Sequence, residues 1–460
     1  MAKRPAASPG DAFERALGAI RTRVSVSAVA IAYSGGLDST ALLHLAKAYG
    51  DRHGIALFAF HVHHGLSTNA DAWLQHCERE CERLGICFEA RRVDLTTNYG
   101  KDSIEQAARI KRYAALGELC RAHRIPLLLT AHHLDDQAET VLLQMLRGAG
   151  VAGLSGMERL NAAPDLLGDS DLLVGRPLLD VSREALENFV AENGIRYVED
   201  ESNADFRYAR NALRHKVMPS LAEHFPGFQH RFARMTQHAQ AAKRLLNELA
   251  AQDLAACLDG ECIDISRLTC MSPDRIDNML RYWFASRGVR MPSTAWLSEM
   301  REQLLEARED AQLRVTHADC EIRRHRGRIF LTPRAEESSV VRSATFRWNG
   351  EPRIHMPEFG GILHFDEAEQ GVDAGWLRGQ ELTIRYRKGG EKLKPAFNRP
   401  TRSLKHHYQA LNIPAWERLR LPVVATGAQL LFAAGIGMNW RNLPSGSEHA
   451  ILLRWEVDPD

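Results

Sequence analysis

The stretch AIAYSGGLDSTALL, residues 30–43, interrupts a run of small apolar residues with Ser34-Gly35-Gly36 and leaves Asp38 at the head of a helical pattern. VAIAY (29–33) reads as a buried strand. Ala41, Leu42, Leu45, Ala46 and Tyr49 then recur at the helical period until Gly50. A strand, a glycine turn and a helix in immediate succession form the first half of a βαβ unit. The pattern repeats downstream. IALFAFHV (55–62) precedes a helix over about 69–84, and ICFEARRV (86–93) precedes one starting near Ser103, where Ser103 and Gln106 match a capping box. IPLLLTA (125–131) leads into DDQAETVLLQML. Strands alternating with helices predict an α/β fold with a doubly wound, mostly parallel sheet.

In such a sheet, ligands sit beyond the carboxyl ends of the strands. SGGLDS follows the first strand, HVHHGLS closes the second and TAHHLDDQAET follows the fourth, so all three are expected on one edge. SGGLDS sets backbone amides and hydroxyls against a helix N-terminus, which suits an anion. It has no GK[ST], so it is not a Walker A loop, and an ordinary tight turn is the alternative. Asp38 would repel a phosphate unless a cation intervened, and Mg²⁺ with its oxygen preference fits a nucleoside triphosphate. Asp136 and Glu139 share a helix face. They either complement the helix dipole or grip a cation, whether Mg²⁺ or an ammonium-bearing substrate. His61, His63, His64, His132 and His133 lie near the same edge without a zinc spacing, and hydrogen bonding or packing is the simpler role. Arg109 and Arg112 are either solvated or able to reach a phosphoryl group. Arg207, Arg210 and Arg214 form one basic stripe, read either as a solvated face or as an RNA or phosphate contact.

Beyond residue 220 the pattern changes. Residues 229–258 read as one long helix with Phe232, Met235, Ala239, Ala242, Leu246 and Leu249 on its apolar face, followed by helices at 273–286 and 293–309 and a hairpin in LRVTHADCEIRRHRGRIFL. A stretch over about 333–361 reads as a linker, and strand-like patterns return from LTIRYRKGG onwards. The expected division is a catalytic domain over 1–220, a mainly helical substrate-binding domain over 221–335, and a linker plus small mixed α/β C-terminal domain over 336–460, compact over about 375–460.

The chain has 460 residues, 45% hydrophobic and 25% charged, with net charge +1. That total hides a segregation. Residues 181–205 carry seven acids against two bases, while 383–407 carry Arg385, Arg387, Lys388, Lys392, Lys394, Arg399, Arg402 and Lys405 against Glu391 alone. Near-neutrality therefore does not argue against a nucleic-acid partner. Eight cysteines without a CxxC pair, and no targeting or membrane segment, lead us to expect a cytosolic protein. No interface signature stands out, so a homo-oligomer stays open.

SGGLDS resembles the pyrophosphatase loop of the N-type ATP pyrophosphatases, the PP-loop superfamily with an adenine nucleotide α-hydrolase-like fold. Taken with HVHHGLS, AARIKRY, TAHHLDDQAETVLLQMLRGAGVAGLSGM, RPLLDVSREAL and DESNADFRYARNALRH, the chain resembles the tRNA(Ile)-lysidine synthetase family across residues 30–216. RYRKGGEKLKP and LNIPAWERLRLPVV resemble that family's C-terminal domain. The resemblance implies that ATP adenylates O2 of the wobble cytidine in the isoleucine tRNA with a CAU anticodon. The ε-amine of free lysine then attacks C2, expelling AMP. It implies that Ser34, Gly35, Gly36, Leu37, Asp38 and Ser39 hold ATP, with Asp38 supporting Mg²⁺. Asp136 and Glu139 would bind lysine, and Arg112 would assist near the nucleotide. Arg207, Arg210 and Arg214, with Arg385, Arg387, Lys388, Lys392, Lys394, Arg402 and Lys405, would contact tRNA. HVHHGL departs from the family pattern: an acid is expected nearer HGL, where Asn69 and Asp71 follow instead. A rival tRNA thiolase would need a cysteine pair or iron–sulfur ligands, and a non-catalytic RNA-binding protein would not need Asp38, Asp136 and Glu139 together.

Overall fold

A computed structural model describes residues 8–63, 65, 69–94, 101–199, 209–307, 313–334, 343–442 and 449–458. The chain divides into two compact units, Met1–Gln252 and Asp253–Asp460.

In the first unit, α1 (Pro9–Arg21) precedes β1 (Ala28–Ala32), α2 (Leu37–His53), β2 (Ala56–His63), α3 (Ala70–Leu84), β3 (Cys87–Arg92), α4 (Lys101–Ala122), β4 (Leu127–Leu129) and α5 (Leu134–Leu146). Short elements follow: α6 (Val151–Leu154), β5 (Leu160–Ala162), α7 (Pro164–Leu167), β6 (Leu173–Gly175) and α8 (Arg183–Glu192). The strand order is β3-β2-β1-β4-β6-β5, parallel except for β5 against β6. Alternation along the central strands places a core on each face. Val29, Ile31, Leu127 and Leu129 pack with Phe13, Leu17, Leu42 and Leu186. Ala30 and Leu128 turn to the opposite face, among Tyr113, Leu116, Leu119 and Val174. A parallel sheet covered on both sides needs apolar residues at successive positions, and that is why these strands read as continuous hydrophobic runs.

Two local expectations change. Gly50 does not stop α2, which runs to His53 and ends on Gly54 in the left-handed region at φ +65°. Gly50 is needed inside the helix because a Cβ there would lie 2.9 Å from the Ile55 carbonyl oxygen. α4 begins at Lys101, so Ser103 lies in its first turn rather than at its cap. After α8 come α9 (Ala209–Ala212), a π-helical turn (Leu213–Val217), α10 (Met218–His224) and α11 (Phe228–Cys257). The apolar face expected on α11 is only partly covered: Leu246 is 39% exposed, and Phe232, Met235, Ala239, Ala242 and Leu249 are half-buried. No described helix is long and apolar enough to cross a membrane.

In the second unit, helices Pro273–Ser286 and Thr294–Glu306 pack against a five-stranded antiparallel sheet that contains the expected hairpin, Cys320–His325 with Arg328–Pro333. Further on, a second five-stranded and a four-stranded antiparallel sheet share a core of Leu363, Phe365, Leu382, Ile384, Val424 and Leu431. Two strands lie within the stretch read as a linker. Ser343–Phe346 pairs with Leu382–Tyr386, and Arg353–Met356 pairs with Gly361–Ala368. Both are short and half-exposed, so their apolar alternation is weak in the sequence.

Candidate active site

Gly35 explains why the opening stretch turns where it does. Its φ is +86°, and a Cβ there would sit 2.8 Å from Cys77 Sγ and 3.0 Å from Val198 Cγ2. Only glycine meets both demands. The Val198 amide donates to the Gly35 carbonyl at 2.9 Å, and Thr40 Oγ1 donates to it at 3.1 Å. Ser39 Oγ donates to the Gly36 carbonyl at 3.0 Å, accepts from the Ser34 amide at 3.3 Å and lies 3.0 Å from Ser34 Oγ. Gly36 begins α2 without a capping side chain. The loop is thus fixed by its own hydroxyls and by Val198, and the positive end of the helix dipole is not covered by a side-chain cap.

Asp38 projects from the first turn of α2 towards the head of α5. His133, at 0% exposure, stands between them: its Nε2 is 3.7 Å from Asp38 Oδ2 and 3.4 Å from Asp136 Oδ2, and its Nδ1 is 3.7 Å from Asp135 Oδ2. His133 also caps α5 reciprocally. In the neutral imidazole the Asp136 amide donates to His133 Nδ1 at 3.4 Å, and in either state the His133 amide donates to Asp136 Oδ2 at 3.1 Å. Burial opposes the imidazolium, but the nearby carboxylates of Asp38, Asp136 and Asp135 together raise the His133 pKa. Burial likewise opposes ionisation of Asp136, and His133 and Arg210 then His132 and Arg214 outweigh it, holding its pKa at about 2. Asp38 Oδ1 is buried and has no hydrogen-bond partner among the described residues.

The basic stripe turns inward rather than outward. Arg210 reaches Glu139 Oε2 at 2.9 Å and Asp136 Oδ1 at 3.0 Å. Arg214 reaches Glu139 Oε1 at 2.6 Å and Oε2 at 3.0 Å, and Asp136 Oδ1 at 2.9 Å. Glu139 is only 2% exposed, so its charge requires such partners. The charge of these two arginines is thus engaged by the acid pair. Arg207 lies outside the described residues, as does His64.

The other candidates divide by position. Arg109 and Arg112 both flank the Tyr113 ring, their guanidinium carbons 5.0 and 5.9 Å from its centre. His61 Nδ1 is 2.9 Å from the Tyr33 carbonyl oxygen, and His63 Nε2 is 3.2 Å from Asp71 Oδ1. His132 lies 2.9 Å from Thr130 Oγ1, and burial lowers its pKa to about 3. Among the described residues, no three His, Cys, Asp or Glu side chains converge as a metal nest. Burial pushes the thiols of Cys77, Cys81 and Cys120 up to about 12, which leaves them as packing groups rather than sulfur carriers. The central role of His133 was not singled out from the sequence, although its place immediately before an acidic first turn is an N-cap signal. Arg183 was also missed. Its amide donates to Asp135 Oδ2 at 2.8 Å, and its Nη1 is 3.7 Å from Asp38 Oδ2.

In the second unit, the basic segment is organised by its single acid. Glu391 accepts from Arg385 at 2.9 Å and from the Lys388 and Gly389 amides at 2.7 and 2.8 Å. Leu393 and Leu404 are buried with Tyr408 and Val423, and anchor the segment. Lys388, Lys392, Arg399, Arg402 and Lys405 remain exposed. Lys394 Nζ lies 5.2 Å from the ring centre of Phe397, itself 82% exposed.

A PP-loop domain model matches residues 10–221, a TilS substrate binding domain model matches 263–330, and a TilS substrate C-terminal domain model matches 382–455. Among solved structures, the U34-tRNA thiolase NcsA from Methanococcus maripaludis aligns with TM-score 0.41 at 18% identity, covering 50% of this chain and 76% of its own. The tRNA(Ile)-lysidine synthase of Burkholderia pseudomallei is 41% identical over 444 residues, 89% of each chain. That of Ralstonia nicotianae is 40% identical over 443 residues, 94% of this chain and 92% of its own. Identity at this level over about nine-tenths of the chain, with three domain models matching in succession, makes the chain a member of the tRNA(Ile)-lysidine synthase family.

Proposed function

We propose that the protein ligates free lysine to C2 of the wobble cytidine in the CAU-anticodon isoleucine tRNA. ATP first adenylates O2 of the base; the ε-amine then attacks, giving lysidine, AMP and pyrophosphate. The observation that carries this reading is the convergence on His133, which lies within 3.7 Å of Asp38 from the loop and 3.4 Å of Asp136 from the acid pair. A phosphate cradle and an ammonium site would therefore share one reaction space.

A cytosine carbonyl oxygen leaves poorly until it carries a phosphoryl ester, so adenylation must precede amine attack. We assign triphosphate binding to Ser34–Ser39, whose amides and hydroxyls face the helix N-terminus. Asp38 Oδ1, a buried and unpartnered carboxylate oxygen, fits a cation, and Mg²⁺ held there would offset phosphate charge. Arg112 is assigned to the nucleotide side. Asp136 and Glu139 are assigned to the lysine amine. With its pKa near 2, Asp136 acts in this arrangement as a fixed anion that orients an ammonium, because so weak a base removes protons poorly. Contact with tRNA is assigned to Arg207 and to the segment holding Arg385, Arg387, Lys388, Lys392, Lys394, Arg402 and Lys405. The proposed division of labour is catalysis in 1–220 and tRNA binding in 221–335 and 336–460, in a cytoplasmic enzyme. The buried thiols weigh against a thiolase.

The test is incorporation of labelled lysine into the CAU-anticodon isoleucine tRNA with ATP and Mg²⁺, together with stoichiometric AMP. Incorporation regardless of anticodon, or none into this tRNA, would overturn the proposal.

A further inference from the structure

The segment RPLLDVSREAL has no chemical task in the reading above. It delivers Arg183 to the first position of α8, behind the Ser182 cap, whose Oγ accepts from the Ala185 amide at 3.2 Å. The Arg183 side chain is held at one side only: its Nε donates to Glu187 Oε1 at 3.0 Å, and its Nη1 stands 3.7 Å from Asp38 Oδ2. It lines a cavity of about 300 Å³ together with Asp135, Glu139, Arg214, His215 and Met218. Arg214 is bound to the acid pair through Nε and Nη2. Neither Arg183 Nη2 nor Arg214 Nη1 donates a hydrogen bond among the described residues.

The charge pattern of this cavity is informative. A site for phosphate alone would be uniformly basic, and a site for an amine alone uniformly acidic. Here two guanidiniums face the same space as Glu139 and Asp135, which suits a ligand carrying both signs close together. An α-amino acid is such a ligand: its planar carboxylate matches guanidinium forks, and its α-ammonium matches a carboxylate. Anchoring through the α-groups has a chemical consequence. The ε-nitrogen must be uncharged to attack, and a site that gripped only the ε-ammonium would lose its ligand when that proton left.

We infer that Arg183 and Arg214 clamp the α-carboxylate of the incoming amino acid, with Asp135, which lines the same cavity, facing its α-ammonium. They are thus specificity-determining residues that reject amines lacking a carboxylate. This inference rests on the lysine-ligase reading.

The experiment compares lysine with cadaverine, which is lysine without its carboxylate, as nucleophiles for the full-length enzyme, ATP and the CAU-anticodon isoleucine tRNA. The wild type should prefer lysine by at least about a hundredfold in kcat/KM. Arg183→Gln should reduce kcat/KM for lysine by about tenfold to a hundredfold, chiefly through KM, and shrink the preference for lysine by the same factor. The KM for ATP should stay within about twofold. Arg214→Lys, which keeps the charge that Glu139 needs but loses the fork, should erode the same preference. An Arg183→Gln enzyme that keeps the full preference while both amines decline together, or whose KM for ATP rises instead, would reassign Arg183 to phosphate and overturn the inference. So would a wild type that uses cadaverine as well as lysine. A wild type that incorporates neither amine would instead refute the ligase reading itself.

Discussion

The strand-edge site of the first unit and the basic segment of the second both concentrate charge, but in opposite ways. At the strand edge, Asp136, Glu139, Arg210, Arg214 and His133 are buried or half-buried and bound to one another. In the basic segment, Lys388, Lys392, Arg399, Arg402 and Lys405 stand exposed around Glu391. Charges out of water interact strongly and must be paired, so their geometry is fixed and losing one partner is costly. Exposed charges are screened and individually weak, and they suit a long, regularly charged partner bound through many small contributions. Under the proposed function, one region positions and the other adheres.

The largest effect that would sharpen this contrast is expected at Asp38. Asp38→Asn keeps the shape but removes the charge, and AMP formation should fall about a hundredfold to a thousandfold while tRNA affinity in a filter-binding assay stays unchanged. A comparable loss of tRNA affinity would break the separation of roles. Next comes Glu139→Gln, which leaves two arginines facing a single charged carboxylate. Urea unfolding should show a loss of about 3 kcal/mol. A change below about 1 kcal/mol would mean that the inward-turned arginines contribute little to the fold.

A smaller effect should follow pH. Because the folded state raises the His133 pKa, the stability it contributes is fully present below the ordinary imidazole value and is lost as pH rises through the raised one. The melting-temperature gap between wild type and His133→Asn should therefore narrow as pH rises above the ordinary imidazole value of about 6.5. A gap that widened would place a neutral imidazole at the hub. The smallest effect belongs to the exposed region. Lys392→Ala and Lys405→Ala should each weaken tRNA binding a few-fold, and each phosphate that a variant no longer neutralises should lower the slope of log affinity against log salt by about one. KM values for ATP and lysine should not move. An unchanged salt slope would show that these lysines are merely solvated.

Much of the first unit was legible because its signals are local. The glycine turn, the apolar runs of the central strands and the acidic first turn of α5 depend on near neighbours, and the strand-end rule then gathers them on one edge. The second unit was harder to read. Its strands at Ser343–Phe346 and Arg353–Met356 are short and half-exposed, and their pairing is what makes them strands.

By itself, the sequence determined which residue types reach the edge of the sheet: Ser34–Ser39 at the first strand, and Asp136 and Glu139 at the fourth. Only tertiary structure decided what those charges do. Arg210 and Arg214 lie 71 to 78 residues from the carboxylates they bind, and Arg183 lies 48 from Asp135. A periodic basic stripe looks the same in sequence whether it faces water or a buried acid. Folding chooses between them, because Glu139 cannot leave water without a cation to meet it.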